Sequence, residues 1–223
     1  MTHTEQRKGI RERFLAIEAA NVSDVLDAMG IRDQGLNPSI QAVTGDVVAG
    51  WAYTITGQMV PYEGQGDPKK MEACHGIGPD EVSVWSGGGM GICYFGELIA
   101  LSMAERGSTG ALVDGGLRDV RALREHGFSV FASFRSAVQS IGRWRVTDYQ
   151  VPIYLPGATS RWVVVNPGDF ILGDEDGAIV VPVAVVDEVL AKAEAMTRTE
   201  AQVRASLKEG TTLEQALEQF GHI

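Results

Sequence analysis

The stretch GALVDGGLRDVRALREHGFSVFA, residues 110–132, reads as strand, turn, helix, strand. Residues 110–114 are a short apolar run of the kind that forms a buried strand. Gly115 and Gly116 free the backbone for a turn. Residues 118–126 read as a helix, and Gly127 is suited to end it. Residues 128–132 are strand-like again. This β–α–β grammar implies parallel strands and an α/β fold. Reactive groups in such folds gather where strands end, which makes Arg118 and Asp119 the informative pair. An Asp opening a helix is also an ordinary partner for the helix dipole.

Upstream, Ser86-Gly87-Gly88-Gly89-Met90-Gly91 is a glycine-rich turn, and residues 96–105 read as a helix stopped by Gly107. The turn lacks dinucleotide spacing, because position 92 is Ile, and no Gly-Lys-Ser/Thr follows as in a phosphate loop. An anion cradle and a plain structural turn both stand as readings of it. Glu97 opens the helix, with twenty residues between it and Arg118. If the two helices follow neighbouring strands, Glu97 and Asp119 face one crevice. Carboxylates beside an arginine suit a hard divalent cation and a carboxylate substrate.

The rest of the chain extends the α/β pattern. Helices are expected over residues 10–29, with Ser23 as an N-cap and Gly30 as the stop, and over 68–74. Strands are expected at 47–56, 81–85, 151–154, 162–165, 170–173 and 178–181. A long helix covers 185–208 and a short one 212–220. No linker or repeat interrupts the 223 residues, so a single domain over 1–223 is expected, with N-terminal helices in 1–30 and C-terminal helices in 184–223.

Hydrophobic residues make up 44% and charged residues 22%, as in an ordinary globular chain. The net charge of −10 argues against a nucleic-acid-binding surface. Two cysteines, Cys74 and Cys93, suit a reducing compartment and cannot build a four-cysteine zinc site. No apolar run reaches the length of a membrane span, and the N-terminus has no signal-peptide core. The expectation is a cytoplasmic protein without nucleic-acid or membrane partners. Lys8, Lys69, Lys70, Lys192 and Lys208 lie in polar stretches, a poor setting for an amine with a depressed pKa. His75 and His126 have no partners at metal-ligand spacing and read as surface residues.

Gly96-Glu97-Leu98 followed by Asp114-Gly115-Gly116-Leu117-Arg118-Asp119 resembles the signature of the RraA-like proteins. That family includes the 4-hydroxy-4-methyl-2-oxoglutarate / 4-carboxy-4-hydroxy-2-oxoadipate aldolases. The likeness extends to Val22-Ser23-Asp24-Val25-Leu26-Asp27, to Pro167-Gly168-Asp169 and to residues 174–182. It implies an α/β/α swivelling-type domain with mixed sheets, assembled as a homotrimer or a hexamer of two trimers. It further implies a metal-dependent pyruvate aldolase that also decarboxylates oxaloacetate, acting on a small 2-oxo acid. Carried over, Asp119 ligates Mg²⁺ or Mn²⁺ mostly alongside waters, and Arg118 binds the pyruvyl group and stabilises its enolate. Glu97 holds a water that acts as base or proton donor. The N–H groups of Leu98 and Ile99, after Gly96, take the substrate carboxylate. Glu200 or Glu194 of the C-terminal helix reaches a neighbour's site.

The chain departs from the family pattern in three places. Glu97 stands where Asp is commoner. Ala122 stands where some members have an acid. Residues 134–149, with Ser140, Arg143 and Arg145, differ and imply a different distal pocket. Other members of the family bind and inhibit an RNA-degrading endonuclease, so a non-catalytic regulator is the alternative expectation.

Overall fold

The computed structural model describes residues 2–64, 66–88 and 90–221. Gly89, inside the glycine-rich turn, lies outside the described residues. Two helices lead, α1 (His3–Phe14) and α2 (Ala19–Ala28). Then come β1 (Gln41–Thr44), β2 (Val48–Met59), α3 (Pro68–Gly76), β3 (Glu81–Ser86), β4 (Cys93–Phe95), α4 (Glu97–Ala104), β5 (Gly110–Leu117), α5 (Val120–Glu125) and β6 (Val130–Arg135). The last part holds β7 (Trp144–Tyr149), β8 (Ile153–Pro156), β9 (Trp162–Val165), β10 (Phe170–Asp174), β11 (Gly177–Val181), α6 (Val186–Lys208) and α7 (Leu213–Phe220).

The fold is α/β, built on one mixed sheet in the order β1-β6-β5-β3-β2-β10-β11, with β4 also on β5 and β7 also on β2. β2, β3, β5 and β6 are parallel to one another, while β1 pairs antiparallel with β6, β7 and β10 with β2, and β11 with β10. The end strands β1 and β11 approach each other, so the sheet is nearly closed.

Side-chain alternation gives the sheet two buried faces. Val48 and Ala52 of β2, Val82 and Val84 of β3, Leu112 of β5 and Phe131 of β6 point to the inner face, where the β8–β9 hairpin closes over them. The residues between them point out. Ala111, Val113, Val130 and Ala132 pack against Ala73 of α3, Met103 of α4 and Leu123 of α5. Trp51, Phe170, Leu172 and Val181 pack against α1, α2 and α6. Strands buried on both faces read as continuous apolar runs, as these do.

Three sequence expectations are corrected. Ser23 is not an N-cap, because it lies inside α2, which begins at Ala19. The cap comes from elsewhere in the fold: the Ala19 N–H donates to Asp174 Oδ2 at 2.7 Å. Gly115 and Gly116 lie within β5 and do not form a turn. β1, β4 and β7 were not expected. β4 has three residues, too few for a period to show, and β7 carries Arg145 and Asp148 on its outward positions. Among the described residues no helix is long and apolar enough to cross a membrane.

Phe131 is fully buried at the centre of the inner core. Phe131→Ala is expected to cost about 3–5 kcal/mol. At roughly 2–4 °C per kcal/mol for a chain of this size, Tm should drop on the order of 10 °C, measurable by calorimetry.

Candidate functional site

The site begins with a register. β4 and β5 are parallel, with Cys93 opposite Gly116 and Phe95 opposite Leu117. The next residue of each strand, Gly96 and Arg118, therefore emerges beside the other. The Arg118 N–H donates to the Phe95 carbonyl at 3.2 Å. Close approach of the strands requires the two glycines of β5. A Cβ at position 116 would lie 2.1 Å from the Ile92 carbonyl oxygen, and one at 115 would lie 2.2 Å from the Tyr94 hydroxyl. Tyr94 uses that hydroxyl to bond the Asp114 carbonyl. The glycine pair thus provides space for β4, where the sequence suggested a turn.

Asp119 has φ 60°, in the left-handed region that Asp tolerates better than most residues. Its Oδ2 accepts from the Glu97 N–H at 3.3 Å and lies 3.4 Å from Arg118 Nε. A Cβ on Gly96 would come 2.7 Å from that oxygen and 3.2 Å from Arg118 Cγ. Helix α4 starts here, with Gly96 as its N-cap residue. Leu98 and Ile99 fall in its first turn, where backbone N–H groups have no partner within the helix and the dipole favours an anion. The Glu97 and Asp119 helix starts therefore lie side by side, although only the Asp119 side chain faces the cleft beside them.

Gly96, Leu98, Ile99, Arg118 and Asp119 line a cleft of about 540 Å³. Lys70 and Cys74 of α3 and Ser140 form other parts of its wall. Arg143 and Arg145 are not in the wall. Arg143 Nη1 donates to the Gln139 carbonyl at 3.4 Å, and the Arg145 guanidinium stacks over the Tyr62 ring at 4.7 Å. The Glu97 side chain turns away from the cleft lining, its Oε1 lying 3.2 Å from His126 Nε2. His126 is exposed, in line with the sequence reading, and meets Glu97 because α5 returns beside the start of α4. Glu194 is bound by both Arg13 Nε and Nη2 at 2.7 Å, which holds its carboxyl below the usual range. Glu200 pairs with Arg204 at 3.4 Å. Neither lines this chain's cleft.

Lys70 overturns the reading of the lysines. It is only 7% exposed, its Nζ donates to the Tyr94 carbonyl at 2.5 Å, and burial pushes its pKa down to about 8. The Nζ sits 5.6 Å from the Trp85 ring centre and 5.7 Å from that of Trp144. Polar neighbours in sequence hid this environment, which is built by residues of β3, β4 and β7.

Among the described residues no group of three or more His, Cys, Asp or Glu side chains is placed to hold a metal ion. Two carboxylates line the cleft. Those of Asp67 accept from the Lys70 and Val146 N–H groups at 3.1 and 2.7 Å, whereas the Asp119 side chain is 42% exposed. One accessible carboxylate suits a hard cation that keeps most of its waters, as Mg²⁺ does.

A family model described as "RraA-like: Aldolase/RraA" matches residues 19–180. Protein DlpA of Legionella pneumophila is 28% identical over 228 residues, covering 99% of this chain, which in turn spans 35% of that protein's length. A Halalkalibacterium halodurans protein named provisionally as a 4-hydroxy-4-methyl-2-oxoglutarate aldolase is 28% identical over 183 residues, 81% of this chain and 80% of its own. The crystal structure of Streptomyces coelicolor RraAS2, described as an unusual member of the RNase ES inhibitor RraA family, superposes with a TM-score of 0.74. It is 24% identical, covers 88% of this chain and 96% of its own, and shows the shared fold.

The contact at Gly96 is testable. Gly96→Ala should push Asp119 and Arg118 apart while leaving the hydrophobic cores intact. The expected result is a Tm within a few degrees of wild type and a shifted amide resonance for Glu97, read by NMR.

Proposed function

The chain belongs to the RraA-like family, and on that footing we propose that it is a divalent-metal-dependent carbon–carbon lyase. In this reading it cleaves 4-hydroxy-2-oxo acids to release pyruvate and decarboxylates oxaloacetate. The observation that supports it is the β4–β5 register, which puts a helix N-terminus, an arginine and an accessible aspartate at one cleft.

The division of labour follows from the residues. The N–H groups of Leu98 and Ile99 bind the substrate's 1-carboxylate at the positive end of α4. Arg118 directs its planar fork at the 2-oxo oxygen, where negative charge develops as the C3–C4 bond breaks. Asp119 would hold Mg²⁺ or Mn²⁺, which supplies Lewis-acid stabilisation of the same oxygen when bound. Glu97 is assigned the proton, through water: off the 4-hydroxyl in the aldol cleavage, and onto C3 as pyruvate forms; this role requires its side chain to leave His126 and turn to the cleft. In decarboxylation the C4 carboxylate leaves as CO₂, and no hydroxyl proton is removed. Both reactions pass through one enolate, so one electrostatic arrangement serves both.

Assembly as a homotrimer or a pair of trimers belongs to this proposal. The cleft rim carries exposed apolar side chains, Met71, Leu98 and Ile141, at 55%, 76% and 41% exposure. Such a rim suits cover by a neighbouring subunit, which could add an acid such as Glu200. The competing reading is an inhibitor of an RNA-degrading enzyme, favoured by the net charge of −10, which suits a basic partner.

Pyruvate release from oxaloacetate and 4-hydroxy-4-methyl-2-oxoglutarate separates the readings. Activity should vanish with EDTA and return with Mg²⁺ or Mn²⁺. Arg118→Lys should lower kcat on the order of 100–1,000-fold, since lysine keeps the charge and loses the fork. A folded Arg118→Lys variant with near-normal turnover would remove Arg118 from the chemistry. Absence of turnover on every oxo acid, with a ribonuclease recovered in pull-downs, would favour the inhibitor. Light scattering should give a trimer or hexamer, and a fully active monomer would contradict the shared-site assembly.

A further inference from the structure

We propose that Lys70 is an anion anchor in the cleft wall that selects substrates carrying a second carboxylate. The proposal deepens the lyase reading and rests on it for the identity of the substrate, but not for the existence of the anion site.

The placement comes from α3. Asp67 caps the helix by accepting the Lys70 N–H, and Pro68 opens its first turn. Lys70 then shares the buried face with Ala73 and Cys74, at helical spacings of three and four. Its stem is carried inward, and its ammonium comes to rest near a wall formed by Trp85, Tyr94 and Trp144. The Tyr94 and Trp144 rings stack at 4.3 Å and 7°. All three rings are buried, so on this side the ammonium meets no solvent.

The charge there is incompletely compensated. Among the described residues no carboxylate lies within salt-bridge distance of Nζ. Asp67 is near, but its two oxygens serve the backbone N–H groups of Lys70 and Val146. An ammonium has three donors, and the Tyr94 carbonyl takes one. The tryptophan faces contribute attraction, on the order of 1–2 kcal/mol for a desolvated cation, without supplying an acceptor. Burying a charge without a counterion is costly. Arg118 lines the same cleft and adds repulsion. Two cations against one accessible carboxylate make the cleft a place where an incoming anion supplies what the protein lacks. Arg118 meets the 2-oxo end, and Lys70 offers a second pole within the same space.

The experiment compares wild type with Lys70→Met, which keeps an unbranched side chain one atom shorter and removes its charge. Pyruvate release is measured from 4-hydroxy-4-methyl-2-oxoglutarate, a diacid, and from 4-hydroxy-2-oxopentanoate, a monoacid. The ratio of kcat/KM for diacid over monoacid should fall roughly 10- to 100-fold, mainly through KM, as loss of a charged hydrogen bond predicts. In a second arm, glutarate and butyrate serve as unreactive probes in thermal melts. Glutarate should raise the Tm of wild type and not of Lys70→Met, and butyrate should raise neither. Lys70→Gln repeats both arms if the Met variant does not fold. An unchanged substrate ratio, an equal loss on both substrates, or an undiminished glutarate shift in the variant overturns the anchor. So does borohydride trapping of pyruvate on Lys70, which would make it a carbonyl-reactive amine. A glutarate shift that depends on Lys70, in a protein that turns over no oxo acid, would keep the anchor and discard the lyase.

Discussion

Everything at the cleft depends on how closely β4 can lie against β5. The Ile92 carbonyl occupies the space where position 116 would carry a Cβ, so only glycine allows the Cys93–Gly116 and Phe95–Leu117 register. From that register the backbones leave side by side, and the first groups beyond the strands, Gly96 and Arg118, must be neighbours. Asp119 then turns back in the left-handed region to reach the Glu97 N–H. A helix start, a guanidinium and a carboxylate are thus held by main-chain geometry, which is stiffer than long side chains. The curled sheet supports them from below, since Leu112 and Val113 of the same strand face two different cores.

The cleft's electrostatics set its chemistry. Arg118 and Lys70 both line it, while the Asp67 carboxylate is spent on backbone N–H groups and that of Glu97 on His126. The protein therefore presents positive charge and helix N–H groups with a single accessible aspartate. That balance suits an anionic substrate and a hydrated cation. It also reconciles an acidic chain with an anion-binding cleft, because net charge describes the whole surface and binding follows the local field.

Much of this was legible in the sequence, and the gaps have physical causes. The β–α–β unit of residues 110–132 is legible because its apolar runs and the glycine that stops its helix are local features. The helix starts at Glu97 and Asp119 do lie side by side after adjacent strands, but the Glu97 side chain turns to His126 and does not share the cleft with Asp119. Gly115 and Gly116 read locally as a turn, since the need for space comes from Ile92 and Tyr94 at and within β4. Ser23 looked like a cap, yet Asp174, 155 residues from Ala19, does that work. Lys70 escapes a reading of local composition because its environment is assembled from β3, β4 and β7, elements distant in sequence. Local composition reports a residue's neighbours along the chain, and a pKa answers to neighbours in space.

Lys70 also shows what the cleft costs the fold. Its ordinary value of 10.5 falls to about 8, burial being the largest cause. Below about pH 8 the lysine is protonated in both folded and unfolded chains, and the folded state bears the full cost of the buried charge. Between about 8 and 10.5 the unfolded chain still holds the proton that the folded chain has released, so this group's penalty shrinks as pH rises. An apolar side chain of the same length would avoid the penalty at every pH. The Tyr94 carbonyl and the tryptophan faces offset that cost only in part, and an anion entering the cleft is the partner that would offset the rest.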